Sequence, residues 1–152
     1  MTRRILLVLM AMGLAGLAQR YDGPKPPKKD VLYLLQASKL IETEAVEARQ
    51  EGKNDVTYAI AGASSPVTTP MAEPIFIIQA EKIVPERIQL YRLELKGGRR
   101  ELQVKRAHAI QLEVTRISSD GLWKLEVAKS LEPGEYSLSP KDSNQAFCFQ
   151  ER

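Results

Sequence analysis

The chain is poor in the residues that carry most small-protein chemistry. It has one cysteine, one histidine and one tryptophan in 152 residues. A single cysteine, Cys148, excludes an intrachain disulfide. His108 and Cys148 are far apart in the chain and have no companions of their kind, which excludes an ordinary zinc site within one subunit. His108 sits in the connector Ala107–Ala109 beside Arg106, where a surface role is expected rather than that of a catalytic base. No Gly-x-Ser-x-Gly elbow frames Ser64 or Ser65, and no glycine-rich loop leads into a helix to cradle phosphate. Glu42, Glu44, Glu47 and Glu51 lack the Asp/Asn/Gly pattern of a calcium loop and read as a solvated acidic face. No cofactor and no metal are expected.

Long hydrophobic runs are also scarce. The only one, Ile5–Ala18, follows Arg3-Arg4 and ends on the small residues Gly16 and Ala18. It is shorter than the roughly 20 residues of a membrane span and fits a secretory signal peptide over residues 1–18. The next residue is Gln19 rather than a lipid-accepting cysteine. The chain is therefore expected to be exported to the periplasm or the cell exterior, with no stable membrane insertion after cleavage. Loss of Arg3 and Arg4 from 22 basic residues, against 19 acidic ones, leaves a balance near +1. That balance argues against nucleic-acid binding despite a sequence pI near 9.0.

Residues 19–30 hold three prolines and three lysines and read as an extended tether, with Lys25, Lys28 and Lys29 available to an anionic partner. Residues 31–152 are of one-domain size. Val31–Leu35, Val56–Ile60 and Ile75–Ala80 are apolar runs of strand length. Leu40–Arg49 fits a strand or one short helix near 38–49, and its pairing through the turn 50–55 favours the strand. The proline-rich stretch 61–74 reads as a long loop, either a binding element or a crossover. Arg87–Leu95 and Glu101–Arg106 flank Gly97-Gly98, a two-glycine hairpin signal. Their Arg99, Arg100, Lys105 and Arg106 form a possible anion-binding surface. Trp123, Leu125 and Val127 alternate with polar residues, as do Tyr136 and Leu138, and Phe147 and Phe149. These aromatics are expected in the core, with Ser137 and Ser139 on the other face and Cys148 buried. Pro133-Gly134 reads as a type II turn.

Leu131-Glu-Pro-Gly-Glu-Tyr136 resembles the Leu-x-Pro-Gly-x-Tyr turn of immunoglobulin-like and fibronectin-III-like sandwiches, with the tyrosine one residue early for the fibronectin form. The resemblance implies a two-sheet sandwich with a tyrosine packed at the corner. The chain is also similar to short exported bacterial proteins ending in a Pro-Gly-Glu-Tyr turn and a Phe-Cys-Phe strand, a likeness that implies no activity.

The expected fold is an all-β antiparallel sandwich of about eight or nine strands, with a small barrel as the alternative. The expected function is a non-catalytic module that binds an envelope protein or a cell-surface polymer. Two alternatives follow from the same residues. One is a small secreted hydrolase with carboxylates such as Glu42, Glu44 or Glu86 converging. The other is a subunit of a surface filament linked through residues 19–30.

Overall fold

A computed structural model describes residues 21–152, so the leader 1–18 and the start of the tether lie outside the described residues. The described residues form thirteen strands: β1 Leu32–Gln36, β2 Lys39–Glu42, β3 Glu44–Glu47, β4 Arg49–Glu51, β5 Thr57–Ile60, β6 Thr68–Thr69 and β7 Ile75–Gln79 come first. β8 Ile88–Lys96, β9 Arg99–Gln103, β10 Leu112–Arg116, β11 Leu122–Val127, β12 Gly134–Pro140 and β13 Gln145–Glu151 follow. The only helical turns among the described residues are two single 3-10 turns, Pro85–Arg87 and Val104–Arg106. The fold is all-β, as expected, with more strands than turn spacing indicated.

The excess comes from one stretch. Residues 39–51 are neither a helix nor one strand of a local hairpin; they run extended and change partners twice. β2 pairs with β1, β3 with β13, and β4 with β5. The breaks fall at Thr43 and Ala48, both buried. Thr43 donates its amide and its hydroxyl to the Leu32 carbonyl, at 3.1 and 2.6 Å. Ala48 donates its amide to the Asn144 carbonyl at 2.7 Å.

The partner changes build two layers. The first is a five-stranded sheet in the order β10-β11-β7-β1-β2. The second runs β3-β13-β12-β8-β9-β5-β4, with β6 added in parallel to β13. Its terminal strands, β3 and β4, are separated only by Ala48, so the second sheet curls until its ends meet in a small barrel. Both architectures expected from the sequence are therefore present, a barrel wall serving as one layer of a sandwich.

Strand alternation decides what lies between the layers. Leu32, Leu34, Phe76, Ile78, Leu125 and Val127 of the flat sheet meet Ile88, Leu90, Tyr136, Leu138, Phe147 and Phe149 of the barrel wall. The Phe149 ring lies 4.9 Å from that of Phe76 and stacks on Tyr136 at 5.5 Å. The Tyr136 hydroxyl donates to the Glu132 carbonyl at 2.6 Å, a local tyrosine-corner contact. Trp123 packs half-buried on this core.

The turns beside it correct one expectation. Gly97 and Gly98 take φ of 58° and 74°, as a two-residue hairpin requires. The same turn type joins β1 to β2 through Ala37 and Ser38, at φ 50° and 63°, where no glycine signals it. Gly134, by contrast, is not a positive-φ residue and opens β12 opposite Glu151, so Pro133-Gly134 is not a type II turn. A Cβ at Gly134 would meet the Arg92 guanidinium at 3.2 Å.

The proline-lysine segment is anchored where it reaches the domain. Asp30 accepts backbone N–H groups from Glu81, Lys82 and Ile83 at 2.8–3.1 Å and donates its own amide to Gln79. Lys28 pairs with Glu42 and Lys29 with Glu81, each at 3.3 Å. Glu42 shares a cross-strand row with Tyr33 and Ile77, whose side chains are buried on the outer face of the flat sheet.

Burial alone would raise the Asp30 pKa, but the three amides outweigh it and hold the carboxyl below its ordinary 3.8. A depressed carboxylate contributes stability above its unfolded pKa, and that contribution is lost as pH falls through the folded value. Asp30→Ala is therefore expected to lower the urea midpoint at pH 7. The gap to wild type should close as the pH drops below 3.8; a pH-independent gap contradicts this anchor.

Candidate functional site

The barrel interior is where sequence and fold together leave unused chemistry. Along β8 and β12, residues of one parity face the sandwich core, and the alternate residues face the barrel axis. Those alternates are Gln89, Tyr91 and Leu93 on β8, which pair in register with Ser139, Ser137 and Glu135 on β12. Across the axis stand Tyr58 and Ile60 of β5, whose cross-strand partners are Leu102 and Arg100 of β9. β13 contributes Ala146 and Cys148, which pair with Val46 and Glu44 of β3.

One end of the barrel is closed by charge. Arg100 is 1% exposed and donates to both Glu44 carboxylate oxygens, at 2.5 and 3.0 Å. It also donates to the Ala61 and Gly62 carbonyls, at 2.7 and 3.0 Å. Buried Glu135 accepts the Ser65 amide at 2.6 Å, and the Ser65 hydroxyl donates to the Cys148 carbonyl. Burial alone would weaken the guanidinium's hold on its proton; the Glu44 carboxylate reverses that and raises the Arg100 pKa. The stretch 61–74 is thereby tied down, and it continues through β6 and the Val67 carbonyl onto β13.

Above the plug, Ile60, Leu93, Ala48, Ala146 and Cys148 form a small buried cluster. Above that the other end opens into a cavity of ≈ 250 Å³. Its polar side is Gln89, Tyr91, Ser137, Ser139 and Asn144; its apolar side is Tyr58, Ile60, Leu102, Ala146 and Ala48. Lys141 and Asp142 are the only charged lining residues, adjacent in the rim turn between β12 and β13. That turn is held by the Lys141 amide donating to the Arg87 carbonyl and by the Ala48–Asn144 bond. The Tyr91 hydroxyl donates to Gln89 Oε1 at 2.9 Å, which leaves the Gln89 amide nitrogen available. Burial raises the Tyr91 pKa, so this phenol stays protonated at neutral pH.

The residues singled out from sequence are not brought together. Adjacent positions on β9 face opposite ways: Arg100 points into the barrel, while Arg99 points out to Glu51, at 2.8 Å to each carboxylate oxygen, and to Glu101. Arg99 and Arg49 hold the Glu51 carboxyl down at about 2. Lys105 pairs with Asp55 at 2.5 Å, and Arg106 is exposed in the 3-10 turn after β9. Lys28 and Lys29 are engaged on the flat sheet, and Lys25 is exposed in the arm before it. No single anion-binding surface results. The acidic run is not one solvated face, because Glu44 turns inward to Arg100. Glu42, Glu44 and Glu86 go respectively to the flat sheet's edge, the barrel interior and an exposed 3-10 turn. His108 is exposed. Among the described residues no group of three or more His, Cys, Asp or Glu is placed to hold a metal ion.

The sequence pattern places Ser137 and Ser139 on the face opposite the core and carries no signal that this face lines a cavity. Ser137 is 2% exposed. The structure shows why: β12 is paired on both sides, by β8 and β13, and its residues Glu135–Leu138 are buried on both faces.

Two outcomes follow from the plug. Arg100→Ala strands the Glu44 carboxylate and is expected to cost about 3–5 kcal/mol of unfolding free energy in urea. Adding Glu44→Leu should recover part of that loss; full stability in Arg100→Ala contradicts the plug. Burial pushes the Cys148 thiol up to about 12. A water-soluble disulfide reagent is expected to spare native protein and to react at once in denaturant, and fast native labelling contradicts this placement. A scan of family models finds no match to the chain, and searches of curated proteins and of solved structures also return no match.

Proposed function

We propose that the chain is a non-catalytic exported binding module that acts in the cell envelope or outside the cell, and that its binding site is the open mouth of the barrel. The observation that carries this reading is the cavity of ≈ 250 Å³ between barrel strands and the 141–144 turn, with hydrogen-bonding groups on one wall and apolar side chains on the other. Small-molecule sites are concave, largely apolar and oriented by a few polar groups, and small barrels commonly hold them at the mouth. The Ser137 and Ser139 hydroxyls and the Asn144 side-chain amide make no side-chain hydrogen bond within the described residues and are available to a ligand. The separate placements of Glu42, Glu44 and Glu86 favour binding over the hydrolytic reading. The ordered 61–74 crossover turns attention from that loop to the mouth.

We take the occupant to be part of a cell-surface polymer, because the site is a concave mouth of ≈ 250 Å³ and not a broad patch of standard interface size. Co-sedimentation with insoluble peptidoglycan and envelope polysaccharide tests the reading. Wild type is expected in the pellet with at least one of these polymers. Ser139→Phe, which fills the mouth, should lose most of that binding with its melting transition intact, and Gln89→Ala should weaken it several-fold. Equal sedimentation of wild type and both variants overturns the assignment of the mouth.

A further inference from the structure

The barrel cavity is blind, and its two walls differ in chemistry. Its floor is the Ile60, Leu93 and Ala146 cluster, backed by fully buried Cys148 and the Arg100–Glu44 pair. Nothing can thread through it; a polymer can enter only by an end. Its volume of ≈ 250 Å³ falls below the roughly 300–1,000 Å³ of sites for drug-sized ligands. One ring fits, and a chain of rings does not.

Charge and polarity narrow the ring. Lys141 and Asp142 carry opposite signs side by side at the rim, and Asp142 is already 3.3 Å from Arg87. No charged side chain lines the cavity below them. A charged group carried below the rim would shed its water without a partner, which costs far more than it returns. A purely apolar tail would instead leave the Gln89 amide nitrogen and the Ser137 and Ser139 hydroxyls unpaired against hydrocarbon. The occupant that satisfies both walls presents hydroxyls along one edge and C–H bonds on the other face. A neutral pyranose does this, with its hydroxyl edge toward β8 and β12 and its C–H face on Tyr58 and Leu102.

Resting on the assignment of the mouth as the binding site, we infer that the pocket recognises the terminal residue of a glycan, taking one neutral sugar ring end-on. The chain behind that ring lies outside the barrel. Affinity is therefore set by the last ring and is nearly indifferent to chain length. A closed ring of sugars has no end to offer.

The test is an amide NMR titration of the full mature chain. The probes are neutral monosaccharides (glucose, galactose, mannose, rhamnose and the two N-acetylhexosamines), linear oligomers of whichever binds, cyclic glucans, and glucuronate. Shifts are expected at Gln89, Tyr91, Ser137, Ser139 and Asn144 with at least one neutral sugar. Its linear trimer should bind within about threefold of the monomer, and cyclic glucans and glucuronate should leave these signals unmoved. Ser139→Phe should abolish the shifts, and Gln89→Ala, the milder change, should weaken them while the spectrum stays folded. Three results overturn the inference: no shift with any neutral sugar, cyclic glucans binding as well as linear ones, or affinity rising more than tenfold with chain length. If sedimentation with polymer still depends on the mouth while sugars fail, end-on recognition is wrong and the binding site stands. If an acetylated dipeptide shifts the same residues and sugars do not, the ligand is peptide and the glycan reading is lost.

Discussion

The structure depends on the closure made at Ala48. A sheet whose end strands are consecutive in sequence can close on itself without a crossover, provided the joining residue turns the chain without breaking the extended run. Ala48 does this by giving its amide to Asn144 while its methyl group fills the inner cluster. Within that run β3 pairs with β13 and β4 with β5, so the two ends of the sheet are joined by the chain itself. Closure also creates an inside, and that inside has to be filled or used. Here one end is filled by Arg100, Glu44 and Glu135, and the other is left as a cavity.

A buried ion pair at the closed end is not a stability device in general, because desolvation offsets much of its attraction. Its geometric consequence is clearer. Arg100 binds β3 through Glu44 and the chain after β5 through two carbonyls, so it ties β9 across the barrel to β3 and to the chain leaving β5. The Ser65–Glu135 contact adds the crossover to the same knot. The strands position Gln89, Tyr91, Ser137 and Ser139 at the mouth, and the turn between β12 and β13 adds Asn144.

Much of this was legible in the residues. Period-2 runs gave the strands of the sandwich core, and Phe147, Phe149, Tyr136 and Leu138 lie inside as their alternation required. The Gly97-Gly98 hairpin followed from backbone sterics alone. Three features were not legible, for physical reasons. The hairpin at Ala37-Ser38 uses left-handed residues that carry no glycine signature, so tertiary pairing of β1 with β2 overrides local preference. The partner changes within 39–51 depend on contacts with Leu32, Asn144 and Ala59, all distant in sequence or across a turn. The inward row of serines carries no signal of a cavity, because a polar residue facing a cavity and one facing water have the same pattern. For the same reason Arg99 and Arg100 looked like one patch: strand pleating sends neighbours to opposite faces, and only the barrel shows that one of those faces is internal.

Closure of the sheet at Ala48 is the central claim, since the cavity exists only if the barrel is shut. Native-state hydrogen exchange of the Ala48 amide tests it most directly. A closed barrel predicts that this amide is protected to the same degree as those of Phe147 and Phe149 in the core strand, exchanging only through global unfolding. Exchange of Ala48 at the rate of an open chain, with Phe147 and Phe149 still protected, would show an open sheet with no enclosed site.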